Sequence, residues 1–85
     1  MADKEHMKKY KYMTIRVRAA EPVFEGKPEY EVINSKTKAI LGLIYWYKPW
    51  KEYVFTQYQQ SNIFNNSCLH DLLDFMENEI PLYDV

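Results

Sequence analysis

LGLIYWYKPWKEYVFTQY, residues Leu41 to Tyr58, carries seven of the chain's fourteen aromatic side chains (two Trp, eight Tyr and four Phe in all) around one Lys48-Pro49 step. Val, Ile, Tyr, Trp and Phe suit a pleated sheet and Pro interrupts one, so the stretch reads as two strands hinged at the proline. With Pro49 and Trp50 at the centre of the turn, Trp46 falls opposite Tyr53, Ile44 opposite Phe55, and Tyr45 opposite Val54 on the other face. A slip of one residue would exchange the faces.

Upstream, Met13, Ile15 and Val17 alternate with Tyr12, Thr14, Arg16 and Arg18, the period of a half-buried strand. Glu21-Pro22 and Gly26-Lys27-Pro28 bracket a loop, because each proline lacks a backbone donor and restricts the residue before it. Another strand is expected over 30–34, with Tyr30 and Val32 on one side and Ile33 on the other. The following Asn34-Ser-Lys-Thr-Lys38 is turn-prone, since Asn and Ser bond their own nearby backbone. Polar residues Gln57 to Asn62 close the sheet.

A helix follows. Asn65 is its expected N-cap, accepting from the Cys68 amide, with Phe64 and Leu69 as a hydrophobic staple. Leu69, Leu72, Leu73, Met76 and Ile80, joined by Cys68 and Phe75, form an apolar stripe. Pro81 is expected to end it. The whole predicts an α+β domain over residues 10–85, a three- or four-stranded antiparallel meander with one C-terminal helix across the face holding Ile44, Trp46 and Phe55. Leu43, Tyr45, Tyr47, Val54 and Thr56 would stay on the uncovered face. Residues 1–9, MADKEHMKK, lack an apolar period and are expected to form a flexible arm.

An 85-residue chain bounds the answer to one domain with a small core, so large aromatics are needed as packing. One cysteine precludes an internal disulfide, no zinc-ligand spacing occurs, and no apolar run is long enough to span a bilayer. The expected setting is soluble, reducing and cytoplasmic, with no membrane association and no cofactor. Charge is unevenly spread. Residues 1–18 carry Lys4, Lys8, Lys9, Lys11, Arg16 and Arg18 against Asp3 and Glu5, a formal +4. Residues 52–85 carry Glu52, Asp71, Asp74, Glu77, Glu79 and Asp84 with no Lys or Arg, a formal −6. Such asymmetry steers a charged partner, or lets the arm dock on its own or a neighbour's helix.

Three patterns, Tyr30-x-Val32-x-Asn34, Leu41-Gly42-x-Ile44-x-Trp46-Tyr47-x-Pro49-Trp50-x-x-Tyr53-Val54-Phe55 and Phe64-x-x-x-Cys68-Leu69-x-Asp71, run through residues 29–80. Together they resemble small proteins of uncharacterised activity in bacterial, phage and prophage genomes. Such proteins often place a small-residue turn before Leu-Gly, where this chain has Lys36-Thr37-Lys38-Ala39. The resemblance implies a phage or mobile-element origin, a compact sheet-plus-helix fold, and an accessory role in binding a host or defence protein or its nucleotide ligand. It implies no catalytic residues.

The residues themselves point the same way. Trp46, Tyr47, Trp50 and Tyr53 with Lys48 and Lys51 have the composition of a single-strand nucleic-acid platform, but a small protein needs such aromatics for its core and interfaces. The arm Lys8-Lys9-Tyr10-Lys11-Tyr12 fits phosphate contact, and equally fits an edge strand guarded by lysine. Cys68 and His70 lie about 200° apart around a helix, which disfavours a nucleophile and base pair. Asp71, Asp74, Glu77, Asn78 and Glu79 lack the loop glycine of a calcium site and read as a solvated face able to dock a basic surface. The expectation is a non-enzymatic protein that binds a protein partner, its uncovered face taking either a second copy, as a homodimer, or another bound protein. Tyr45, Tyr47, Lys48, Trp50 and Lys51 are the candidate binding residues, Trp50 foremost because a turn offers it little core. The alternative is a DNA-binding module of the integrase-arm or AP2-like layout, which resembles this one at the level of fold alone.

Overall fold

The computed structural model describes residues 7–59 and 63–83. Five antiparallel strands follow one another in space as in sequence: β1 (Met7–Lys9), β2 (Met13–Val17), β3 (Tyr30–Asn34), β4 (Ile40–Tyr47) and β5 (Glu52–Gln57). Helix α1 (Asn66–Asp74) continues through a π-helical turn, Phe75–Glu79, into α2 (Ile80–Tyr83). This is a two-layer α+β fold, with one helical layer on one face of the sheet.

The expected register across Pro49 is the observed one, with Trp46 beside Tyr53, Ile44 beside Phe55 and Tyr45 beside Val54. The Tyr47 carbonyl accepts from the Trp50 amide at 3.1 Å and the Lys51 amide at 2.9 Å, and the latter also reaches the Lys48 carbonyl at 3.1 Å, so residues 48–51 form the turn with Pro49 and Trp50 at its middle. Proline's fixed φ suits the first of them. Lys51 then closes the hairpin at φ +54, a left-handed conformation that lysine adopts at some cost. At the β3–β4 turn, Asn34 accepts through Oδ1 from the amides of Lys36 (2.8 Å) and Thr37 (2.9 Å), as its turn chemistry predicts.

Met13, Ile15, Tyr30, Val32 and Ile44 present one face to Cys68, Leu72, Phe75 and Ile80 of the helix. Tyr30 meets Phe75 edge-on at 5.1 Å. Gly42 is required where β4 passes β5: a Cβ there would collide with the Thr56 carbonyl oxygen and lie 2.8 Å from the Phe55 ring. A register shift between Val32 and Ile33 skips Leu41, which packs against the core beside Gly42.

The structure corrects the sequence reading in four places. The sheet has five strands rather than three or four, because Met7–Lys9 pairs with β2. No apolar period announces that strand. Instead its Lys8 ammonium bonds Glu79 at 2.9 Å, and the neighbouring Tyr10 hydroxyl donates to Asp74 at 2.7 Å. Second, Asn65 does cap the helix, accepting from the Cys68 amide at 2.8 Å, but Phe64 packs edge-on against Phe55 at 5.5 Å while Leu69 is 52% exposed, so the staple is not the anchor. Third, the buried stripe is Cys68, Leu72, Phe75 and Ile80, leaving Leu69 and Leu73 on the outer flank. Fourth, Pro81 does not end the helix. It lies within α2, two residues past a widened segment in which the Ile80 amide reaches back to the Phe75 carbonyl. Widening to five-residue spacing carries Ile80 onto the face of Phe75 and gives the proline ring room its ordinary helical position would deny it. The expected closure over Gln57 to Asn62 falls partly outside the described residues. No described helix is long and apolar enough to cross a membrane.

Candidate functional site

Strand alternation divides the aromatic hairpin. Trp46 and Tyr53 turn toward the helix layer and meet edge-on at 5.6 Å. Phe24, from the loop between β2 and β3, stacks on Trp46 at 6.3 Å and 8°, and the Lys27 ammonium lies 4.3 Å from the Trp46 ring centroid. The Tyr53 hydroxyl donates to the Pro28 carbonyl at 2.8 Å. This loop is tied down by Glu29, a buried carboxylate that receives Arg18 Nη1 and the Val23 amide, each at 3.0 Å. Trp46 and Tyr53 are therefore structural.

Leu43, Tyr45, Tyr47 and Val54 point the other way and are half-buried, Thr56 among them is exposed, and Ile33 of β3 on the same face is buried. The apolar cluster that joins sheet to helix draws only on the opposite face. Trp50 extends the open face at the hairpin tip. It is 64% exposed and stands edge-on to Tyr47 at 5.0 Å, held by a neighbour rather than by the core. Lys48 and Lys51 are exposed in the same turn but lean toward the helix side. The Lys48 ammonium approaches the Phe24 ring at 6.0 Å, and Lys51 borders a groove with Trp46, Leu73 and Glu77. Of the five candidate binding residues, the fold thus groups Tyr45, Tyr47 and Trp50, with the two lysines at their rim.

The four aromatics of the imagined stacking platform do not share a surface, since Trp46 and Tyr53 are turned under the helix layer. Arg16 is paired with Glu31 at 3.0 Å and Arg18 with Glu29, so both arginines of the sheet are engaged by carboxylates. The acidic helix is answered in part from within the same chain. Asp74 accepts from Tyr10 and from Asn78 Nδ2 at 2.8 Å, and these two bonds, the Tyr10 one foremost, hold its carboxyl below the ordinary value. Burial first, and then the same bond, push the Tyr10 hydroxyl well above its ordinary value. Bonding to Glu79 raises Lys8. Lys8 and Tyr10, at the end of the basic arm, thus bond the chain's own helix.

Cys68 is a free, buried thiol whose neighbours are apolar, and His70 is exposed on another side of α1. Among the described residues no three His, Cys, Asp or Glu side chains gather as a metal site. Sequence reasoning missed Phe24, Lys27 and Glu29. The available signal was Phe24 itself, a large apolar residue in a loop bracketed by prolines, but nothing in the spacing says which aromatic it meets. Comparison with protein-family models, with curated proteins and with solved structures finds no match for the chain.

Proposed function

We propose that this is a non-enzymatic binding protein whose partner, a protein of the host cytoplasm, engages the open face at Tyr45 and Tyr47 with Trp50 as its anchor and Lys48 and Lys51 at the rim. The observation that carries the reading is Trp50. A tryptophan left 64% exposed, braced by Tyr47, continues a half-buried aromatic surface that no described element covers. Trp and Tyr supply large contact area with few rotatable bonds, and such residues dominate binding energy at interfaces. The resemblance to small phage and prophage proteins adds the kind of partner: a host or defence protein, or the nucleotide that such a protein uses.

Affinity capture from a bacterial lysate, run with wild type, Trp50→Ala and the helix-face control Glu77→Gln, tests it. The expected result is one partner retained by wild type and Glu77→Gln and lost by Trp50→Ala. No reproducible partner, or equal retention by all three, would overturn the proposal. Nucleic-acid binding through the sheet is the weaker reading, supported by Lys48 and Lys51 beside Trp50 and opposed by the pairing of Arg16 and Arg18 with glutamates. It predicts a gel shift at low salt that Lys48→Ala and Lys51→Ala weaken; absence of any shift at low salt ends it.

A further inference from the structure

We propose that β5 is the seam of a two-fold homodimer, in which the β5 edges of two copies pair antiparallel and join their sheets into one. The described sheet ends in two unlike edges. β1 is three residues long and carries Lys8 and Lys9, the short, cationic form of edge that resists pairing. β5 runs for six residues, EYVFTQ, with no Lys, Pro, Gly or bulge, and its one charge stands at the start. Because the Tyr58 amide donates to the Leu41 carbonyl, alternation along the antiparallel pair turns the backbone groups of Val54 and Thr56 toward β4 and those of Phe55 and Gln57 outward. A long edge of this kind, charged only at its first residue, is a template for another strand.

The occupant is a second copy because the strand complements itself. A two-fold axis through Val54 sets Val54 against Val54, Tyr53 against Phe55, and Glu52 against Thr56. Apolar side chains meet on both faces and no like charges stand opposite. A head-to-tail union would instead need the lysine-bearing β1 edge and would propagate without closing, whereas β5 against β5 closes at two. The axis is perpendicular to the sheet, so both helices lie on one side of it. There the two grooves in which Leu73, 46% exposed, stands beside Tyr53 and Glu52 come to lie on the same side of the joined sheet. On the other side the two open faces become continuous. The seam requires nothing to bind those faces and stands independently of the proposed function.

Sedimentation of the purified full chain over a range from low to high micromolar tests it. The expected species at the upper end has twice the 10.3 kDa chain mass. Val54→Lys, which sets two ammonium groups together at the axis, is expected to weaken self-association at least about tenfold, equivalent to 1.4 kcal/mol. Thr56→Lys, which sets an ammonium opposite Glu52, is expected to preserve it. A monomer at every concentration, or a dimer that both variants leave unchanged or weaken equally, would overturn the proposal. Should Val54→Lys fail to fold, hydrogen exchange of the wild-type Phe55 amide decides: it slows with concentration if the seam is correct and is concentration-independent if not.

Discussion

The two faces of the β4–β5 hairpin are built from the same aromatic string, yet alternate residues have opposite fates. Ile44 is fully buried and Trp46, Tyr53 and Phe55 are roofed by the helix or by Phe24, whereas Tyr45, Tyr47 and Val54, one residue out of step, have no such roof among the described residues. Composition does not separate the two sets, for both mix aromatic and aliphatic residues. What distinguishes them is whether the described helix and loops supply a partner. Half of this small protein's aromatics lie in one hairpin stretch, and only one of its sides packs into the apolar cluster that joins sheet to helix.

Breaking the covered side is expected to have the largest effect. Phe75→Ala removes a ring that is 1% exposed and packed edge-on against Tyr30, and is expected to cost about 3–5 kcal/mol in urea unfolding. For a domain of this size that is most of the stability. Gly42→Ala attacks the same side from the backbone, forcing β4 away from Thr56 and Phe55. Its expected cost is about 1–3 kcal/mol, read from the same unfolding curves.

Removing the Asn65 cap should be milder. Asn65→Ala leaves the Cys68 amide without its side-chain acceptor and is expected to cost about 1 kcal/mol by thermal or urea unfolding. Tyr10→Phe sharpens the comparison at the β1 edge, where polar bonds replace apolar packing. The folded-state pKa of Tyr10 is raised, so its contribution is complete below about pH 10 and lost as pH climbs beyond it. Asp74 is depressed in the fold, so its contribution is present above its ordinary carboxylate range and lost as pH falls through the folded value. Tyr10→Phe is therefore expected to flatten both limbs of the stability–pH profile and to cost about 1 kcal/mol at neutral pH.

The hairpin register, the β3 boundaries and the Asn65 cap were legible in the sequence because each rests on local chemistry: a proline turn, period-two alternation, one side chain beside one amide. β1 was not legible, since three residues without apolar rhythm are held by bonds to Asp74 and Glu79, more than sixty positions away. The helix stripe was legible in kind and misplaced in detail. Leu69 and Leu73 match the helical period as well as Cys68 and Phe75 do, and only the docking geometry, with its π turn before Pro81, selects between them. The open face could be enumerated from alternation once the register was known. That Trp46 belongs under a roof with Phe24, rather than on a platform with Trp50, could not be, because the roof comes from a loop with no periodic signal.

The most direct test of the division between faces is to measure folding and binding together on the Tyr47→Ala, Trp50→Ala double variant beside Phe75→Ala. The double variant is expected to lose no more than about 1.5 kcal/mol in equilibrium urea unfolding, the worth of one edge-on aromatic pair, while losing its partner in affinity capture. Destabilisation as large as that of Phe75→Ala, or full retention of the partner, would contradict the account.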